Sequence, residues 1–174
     1  MYIPNIEDLP LAKWSDRNDV KMSVLSDYYQ ALTKHITLVN EYGKRFGVAG
    51  DLLEIHDKSK WGRHEFPFYA NRFHGDMIHD AKFIKAMNHH LRTNMHHPEY
   101  WLGQDGNPVP MPRKYILEMI ADWHAASFQY TGSDDIQDWL NRKLDRNKFH
   151  QTSLDILKKE LHDIGYYLYS EKVQ

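Results

Sequence analysis

The chain has 174 residues, of which 41% are hydrophobic and 26% charged, and its net charge is −2 with histidine counted as neutral. These values fit one domain with a sizeable core, and they exclude the strongly basic balance of a duplex-binding protein. The absence of cysteine excludes disulfides, zinc–thiolate sites and cysteine nucleophiles. Because no apolar run approaches about 18 residues and the N-terminus lacks a signal-peptide layout, we expect a cytoplasmic protein.

Apolar side chains that recur every three or four positions predict helices along most of the chain, after an irregular N-terminal arm over residues 1–20. In chain order, the predicted helices cover residues 22–46, 51–56, 65–73, 75–94, 112–130, 134–146 and 150–170. A basic loop, KSKWGRH, occupies 58–64, and a proline-rich loop occupies 95–112. We therefore predict an all-α, compact bundle of six to seven helices.

Histidine is the unusual residue type, because the chain holds 12 and most lie between His56 and His97. His35, His56 and His90 each fall on the apolar face of a separate predicted helix. A buried imidazole needs a hydrogen bond or a metal, and a lone one is more often a hydrogen-bonded core residue. Three on inward faces favour a shared metal, which collects ligands from segments far apart in sequence. Further donors of the right type are Asp57, His96, His97 and Asp122.

The order of these residues resembles the HD superfamily of metal-dependent phosphohydrolases, which are helical and named for an adjacent His–Asp pair. The pair here is His56-Asp57 in EIHDKSK, which has the frequent HDxxK form with Lys60 as its lysine. The other matching positions are His35, His90, His96 or His97, and Asp122. The resemblance implies one HD-like domain over 1–174, with a metal-site core over 22–130 followed by C-terminal helices over 131–174.

The resemblance also implies how a metal would be held. A first ion would take His35, His56, Asp57 and Asp122. A second ion would share Asp57 with His90 and either His96 or His97. Such ligands suit Mn, Fe, Co, Ni or Zn, and Mg would suit only a carboxylate-rich position. The implied reaction is hydrolysis of a phosphate ester by a metal-activated water, with a nucleotide as the favoured substrate.

Several residues near the pair are candidates for catalysis or substrate binding. Lys60 and Arg63 are predicted to meet a substrate phosphate, unless they belong to a solvated basic loop. Glu65 is a candidate general acid, an orienter of a ligand histidine, or simply an acid favoured at a helix N-terminus. Asn94 is a candidate for substrate binding or helix capping. Tyr69 is a candidate for stacking on a nucleobase, although such aromatics are more often core, and the same holds for Tyr100, Trp101 and Trp123.

Two further His–Asp pairs show that the dipeptide alone has little specificity. His162-Asp163 is followed by only eleven residues, too few to supply downstream ligands. His79-Asp80 lacks the lysine three positions later and falls inside a predicted helix, so it stays a minor alternative.

A closer resemblance lies in four strings, HDKSK, EFPFYA, HLRTNMHHPEYW and DW. They are similar to a family of small phage and bacterial proteins of unknown function. This resemblance supports the same fold and site and says little about the substrate. It implies the cytoplasm of a bacterial cell or of a phage-infected host.

Two other functions stay open. Some HD proteins use the same ligands with two irons and oxygen to cleave carbon bonds, so a di-iron oxygenase is one alternative. A metal-stabilised nucleotide-binding or regulatory protein without enzymatic activity is the other. The expected partner is a small phosphate ester rather than duplex nucleic acid or a membrane, and a homo-oligomer through the C-terminal helices is a further alternative.

Overall fold

The computed structural model of the protein describes residues 1–76 and 81–168. Eight α-helices lie in these ranges: α1 (Leu11–Asn18), α2 (Met22–Phe46), α3 (Gly50–Ile55), α4 (Phe66–His74), α5 (Ala81–Thr93), α6 (Arg113–Thr131), α7 (Gln137–Arg142) and α8 (Gln151–Asp163). Apart from an isolated bridge between Leu102 and Pro108, these ranges contain no β structure. The predicted all-α class is confirmed. None of the helices described is long and apolar enough to cross a bilayer.

The prediction of an irregular N-terminal arm is wrong at α1, which adds one helix to the seven predicted. Leu11 and Trp14, three positions apart, bury their side chains and hold this short helix against the body of the protein. Asp19, with φ of 53°, ends it in the left-handed conformation. Eight residues carry too few turns for their periodicity to stand out in the sequence.

Three predicted helices differ from the structure by more than one residue at an end. The helix predicted over 134–146 covers only Gln137–Arg142. The helix predicted over 75–94 is described from Ala81 to Thr93. Gly75 is not part of it, because its extended backbone ends α4. The helix predicted over 150–170 ends at Asp163, and residues 164–168 are not helical. Gly165 has φ of 92°, a conformation that favours glycine and cannot continue a helix. Residues 169–170 and the alternative pair His79-Asp80 lie outside the described residues.

Helix α2 is the central element, because α4 and α6 both pack against it. Its buried stripe includes Leu25, Ile36 and Val39, each at most 1% exposed. On the side that faces α6, Val39 belongs to one buried cluster with Leu117 and Ala121 of that helix. Sequestering this apolar surface from water stabilises the crossing of α2 and α6. Polar side chains on the same two helices are thereby held at fixed positions.

Gly43 on α2 sets how closely α3 approaches. A methyl group at this position would overlap the end of the Leu53 side chain, which would have to shift. The chain returns from α2 to α3 through Gly47, whose φ of 76° is in the left-handed region. The end of α3, which carries His56, therefore lies next to α2.

An aromatic cluster around Phe66 joins α1, α2 and α4. Phe66 is fully buried, and its ring centroid lies 5.3 Å from that of Trp14, 4.9 Å from Tyr28 and 5.9 Å from Trp61. Rings at these separations add favourable contacts to the burial itself.

Replacing Phe66 by alanine is expected to lower the free energy of unfolding by about 3–5 kcal/mol, because it leaves a cavity among three rings. Urea denaturation measures this loss. Phe128→Ala is the matched control, since that ring is 39% exposed and its loss should cost less than about 1 kcal/mol. Equal losses in the two variants would show that the Phe66 cluster does not anchor the fold.

Candidate metal centre

The structure brings together all seven predicted metal ligands. They come from α2 (His35), the end of α3 (His56 and Asp57), α5 (His90), the loop after α5 (His96 and His97) and α6 (Asp122). Their donor atoms form two groups, and within each group the atoms lie within 4.8 Å of one another. Asp57 belongs to both groups.

The first group consists of His35, His56, Asp57 and Asp122. Oδ2 of Asp57 lies 3.6 Å from Nε2 of His35 and 3.6 Å from Nε2 of His56. Oδ1 of Asp122 lies 2.9 Å and 3.9 Å from the same two nitrogens. Ligands bound about 2.1 Å from one ion are about 3.0–3.5 Å apart, so these atoms are close to the separations that one cation requires.

The second group consists of Asp57, His90, His96 and His97. Oδ1 of Asp57 lies 3.4 Å from Nε2 of His90 and 3.6 Å from Nε2 of His96. Nε2 of His97 lies 2.8 Å from Nε2 of His90. The sequence left His96 and His97 as alternatives, whereas the structure places both in the group. Because the two oxygens of Asp57 face different groups, its carboxylate could bridge two cations.

The donor atoms themselves fit a cation. Nε2 of His35, His56 and His96 and Oδ1 of Asp57 are buried and have no hydrogen-bond partner among the described residues. Although Asp122 lies close to His35, the two atoms are not aligned as a hydrogen bond. A buried polar atom without a partner costs about 1–3 kcal/mol, and a coordinated ion removes that cost. These residues could therefore hold a metal ion.

The left-handed backbone conformation of Asp57 determines where the side chains of the His–Asp pair lie. Asp57 is fully buried and has φ of 54° and ψ of 18°, a conformation that aspartate tolerates better than most residues. It turns the chain sharply at the end of α3. In a continuing helix, the side chains of His56 and Asp57 would point in different directions. Because of the turn, both reach the first donor group.

Glu118 is a site residue that the sequence analysis missed. It is buried on α6, accepts a hydrogen bond from Nδ1 of His56 at 2.8 Å, and lies 3.3 Å from Nδ1 of His96. Each ring thus turns its Nε2 toward the donor groups, because Nδ1 is engaged by the carboxylate. A signal was present: Glu118 stands between apolar Leu117 and Met119, one helical turn before Asp122.

Glu65 holds the third imidazole in a similar way. It is fully buried, and its Oε2 accepts from Nδ1 of His90 at 3.0 Å and from the Ser59 hydroxyl at 3.1 Å. Its Oε1 accepts from Nδ1 of His89 at 2.6 Å. Of the three predicted roles, these contacts match the orienter of a ligand histidine. Glu65 makes no side-chain capping bond to α4.

Asn94 lies behind His90 and does not line the cleft described below. Its amide donates to the Ser59 hydroxyl and to the backbone oxygen of His90, both at 2.8 Å. This placement matches the predicted helix capping, since the amide binds a backbone oxygen in the last turn of α5, and it does not match the predicted contact with substrate.

The centre is rich in negative charge. Burial opposes ionisation of Asp57, but Lys60 and the neighbouring imidazoles outweigh it and hold the pKa of Asp57 well below its usual range. Burial likewise raises the pKa of Asp122, and His35 more than reverses the effect, so this pKa is also lowered. With Glu65 and Glu118, four carboxylates lie at the centre beside one lysine. Such an arrangement favours bound cations.

The imidazoles differ in protonation. Burial would lower the pKa of His35, but Asp122 and Asp57 raise it to about 9. Burial lowers the pKa of His97 well below its usual range, and the neighbouring His96 and His90 lower it further. In the metal-free protein, His35 therefore carries a proton at neutral pH and His97 does not.

A cleft of about 420 Å³ opens beside the first group. Its lining includes His35, Asp122, Lys60 and Tyr69, together with Tyr28. Nζ of Lys60 lies 2.6 Å from Oδ2 of Asp57, and this side chain is 16% exposed. Among the aromatics proposed for stacking, Tyr69 lines this cleft, and Tyr100, Trp101 and Trp123 do not.

Arg63 and the His162-Asp163 pair lie elsewhere. Nε of Arg63 is 3.1 Å from Nε2 of His64, and both residues line a different cleft, so the predicted contact of Arg63 with the same phosphate as Lys60 is not supported. His162 and Asp163 have side chains 68% and 51% exposed on α8 and belong to neither donor group.

Glu118→Gln is expected to lower metal affinity by about 10–100-fold, because an amide holds the His56 and His96 rings less firmly than a carboxylate. Competition with a chromogenic chelator measures the affinity. Glu160→Gln is the matched control, since this acid is also buried but pairs with Arg113 instead. An unchanged affinity in Glu118→Gln would rule out the orienting role.

Metal binding is expected to release at least one proton per chain at pH 7.5, because His35 must lose the proton that its pKa of about 9 retains. Apparent affinity should therefore rise with pH and level off above pH 9. Calorimetric titration in two buffers of different ionisation enthalpy counts the protons. Binding without proton release at pH 7.5 would contradict the protonated state of His35.

Comparison with known proteins gives a family match over most of this chain. The matching model is the family of unknown function DUF5662, and it covers residues 25–163, which include every residue of both donor groups. Searches of curated proteins and of solved structures give no significant match. The chain therefore belongs to the DUF5662 family.

Proposed function

We propose that this protein is a metal-dependent phosphohydrolase that acts on a phosphate ester, with a nucleotide as the substrate class. The observation that carries the proposal is the position of Asp57, whose two oxygens face separate groups of imidazole and carboxylate donors. The residues of these groups are also those on which the sequence resemblance to HD phosphohydrolases rests.

One ion would be held by His35, His56, Asp57 and Asp122, and another by Asp57, His90, His96 and His97. This imidazole-rich donor set favours Mn, Fe, Co, Ni or Zn over Mg. When bound, such ions supply Lewis acidity and lower the pKa of a bound water toward about 7.

Lys60 supplies a positive charge at the cleft. Burial alone would lower the pKa of its ammonium group, but Asp57 and Asp122 raise it, so Lys60 stays charged at all ordinary pH values. Its position between Asp57 and the cleft suits an ammonium that binds a phosphate oxygen of the substrate.

The remainder of the cleft favours an aromatic substrate over a small ester. The rings of Tyr28, Tyr69, Phe73 and Tyr130 line it, and the exposed rings of Phe73 and Tyr130 offer faces on which a nucleobase can stack. The Tyr28 hydroxyl is buried without a hydrogen-bond partner among the described residues, and burial raises its pKa well above the usual value. It stays protonated and can donate to a polar group of the substrate.

The test is a screen of metals and substrates. Chelator-treated protein is reconstituted with Mn, Fe, Co, Ni, Zn or Mg, and phosphate release is measured from nucleoside mono- and triphosphates and from p-nitrophenyl phosphate. We expect turnover with at least one metal and a preference for nucleotides. Asp57→Asn should reduce turnover at least about 100-fold, because it weakens both donor groups together.

Asp163→Asn is the matched control, because it alters the exposed His162-Asp163 pair and should leave turnover unchanged. Absence of turnover by metal-loaded protein in every condition would refute the hydrolase. Oxygen uptake by the iron form without phosphate release would favour the di-iron oxygenase, and nucleotide binding without turnover would favour a regulatory protein.

A further inference from the structure

A second cleft lies apart from the metal centre, between α1 and the segment that leads into α4. It has a volume of about 530 Å³, and its lining includes Lys13, Arg17, Arg63 and His64. The two clefts share no lining residue. The basic loop after the His–Asp pair is thus divided, with Lys60 at the metal centre and Arg63 at this second cleft, which we call the basic cleft.

Positively charged side chains line the basic cleft, and no carboxylate in its lining balances them. Three permanent cations and one imidazole line it, and no carboxylate does, although the whole chain carries a net charge of −2. Lys13, Arg17 and Arg63 form no ion pair with a carboxylate within residues 1–76 and 81–168. Asp16 lies on the same helix as Lys13 but does not line the cleft. Like charges so placed repel, and an anion among them relieves the repulsion.

The shape and donors of the basic cleft favour a phosphate-bearing small molecule. Two guanidinium groups offer paired N–H donors, which match the geometry of phosphate oxygens. Trp14 and Phe68 contribute apolar surface beside the cations, so an organic portion can pack there. The volume falls within the range of about 300–1,000 Å³ that is typical of small-molecule sites.

We propose that the basic cleft binds a small anion with two or more phosphate groups, either inorganic or carried by a nucleotide. Three permanent cations match the charge of a di- or triphosphate better than that of a single phosphate. The site is separate from the metal centre, and the proposal does not depend on the hydrolase proposal.

The test is calorimetric titration of the metal-loaded full-length protein with inorganic triphosphate and, separately, with a non-hydrolysable nucleoside triphosphate. Lys13→Gln/Arg17→Gln should weaken binding of inorganic triphosphate at least tenfold. Lys85→Gln/Lys158→Gln removes two exposed charges elsewhere and should bind like the wild type. Tighter binding of the nucleotide than of inorganic triphosphate at this cleft would identify the nucleotide as the source of the phosphates.

Asp57→Asn separates the two clefts, because it disables the metal centre and should leave binding at the basic cleft intact. Loss of triphosphate binding in Asp57→Asn, with full binding in Lys13→Gln/Arg17→Gln, would place the anion at the metal centre and overturn the proposal. Absence of triphosphate binding by the wild type would also overturn it, as would binding of single-stranded oligonucleotides alone.

Discussion

The charge of one buried carboxylate constrains the rest of this structure. Asp57 is fully buried yet held ionised, and its two oxygens face different sets of donors. A buried carboxylate is tolerable only where positive charge or hydrogen bonds surround it. The fold meets this requirement through the α2–α6 crossing, which fixes His35 and Asp122, and through the end of α3, which places the His–Asp pair beside them.

Two further buried carboxylates hold the imidazoles in place. Glu118 engages Nδ1 of His56 and His96, and Glu65 engages Nδ1 of His90, so all three rings present Nε2 to the centre. Each of these carboxylates is buried and belongs to a segment that also packs the core. Glu65 is followed by the buried Phe66, and Glu118 is preceded by the buried Leu117. The packing of the core therefore also positions the two carboxylates that orient the imidazoles.

Periodicity predicted the all-α class and placed His35, His56 and His90 on inward faces. The other four donor residues came from the resemblance to the HD superfamily. The sequence did not reveal α1, whose two turns are too short to show a period, and it left His96 and His97 as alternatives, because loop geometry has no periodic signature. Glu118 was visible as an acid within an apolar helix segment, but only its contacts reveal which rings it holds. Proximity in sequence suggests that Arg63 accompanies Lys60 at the metal centre, but the two side chains line different clefts.

We infer that Asp57 is shared by two cation positions. Crystals grown with Mn²⁺ and measured near the manganese absorption edge provide the test, since anomalous scattering locates the ions independently of the chain. We expect two peaks, one among His35, His56 and Asp122 and the other among His90, His96 and His97, each within coordination distance of one oxygen of Asp57. Peaks elsewhere, or no peak beside Asp57 in crystals that bind manganese, would contradict it.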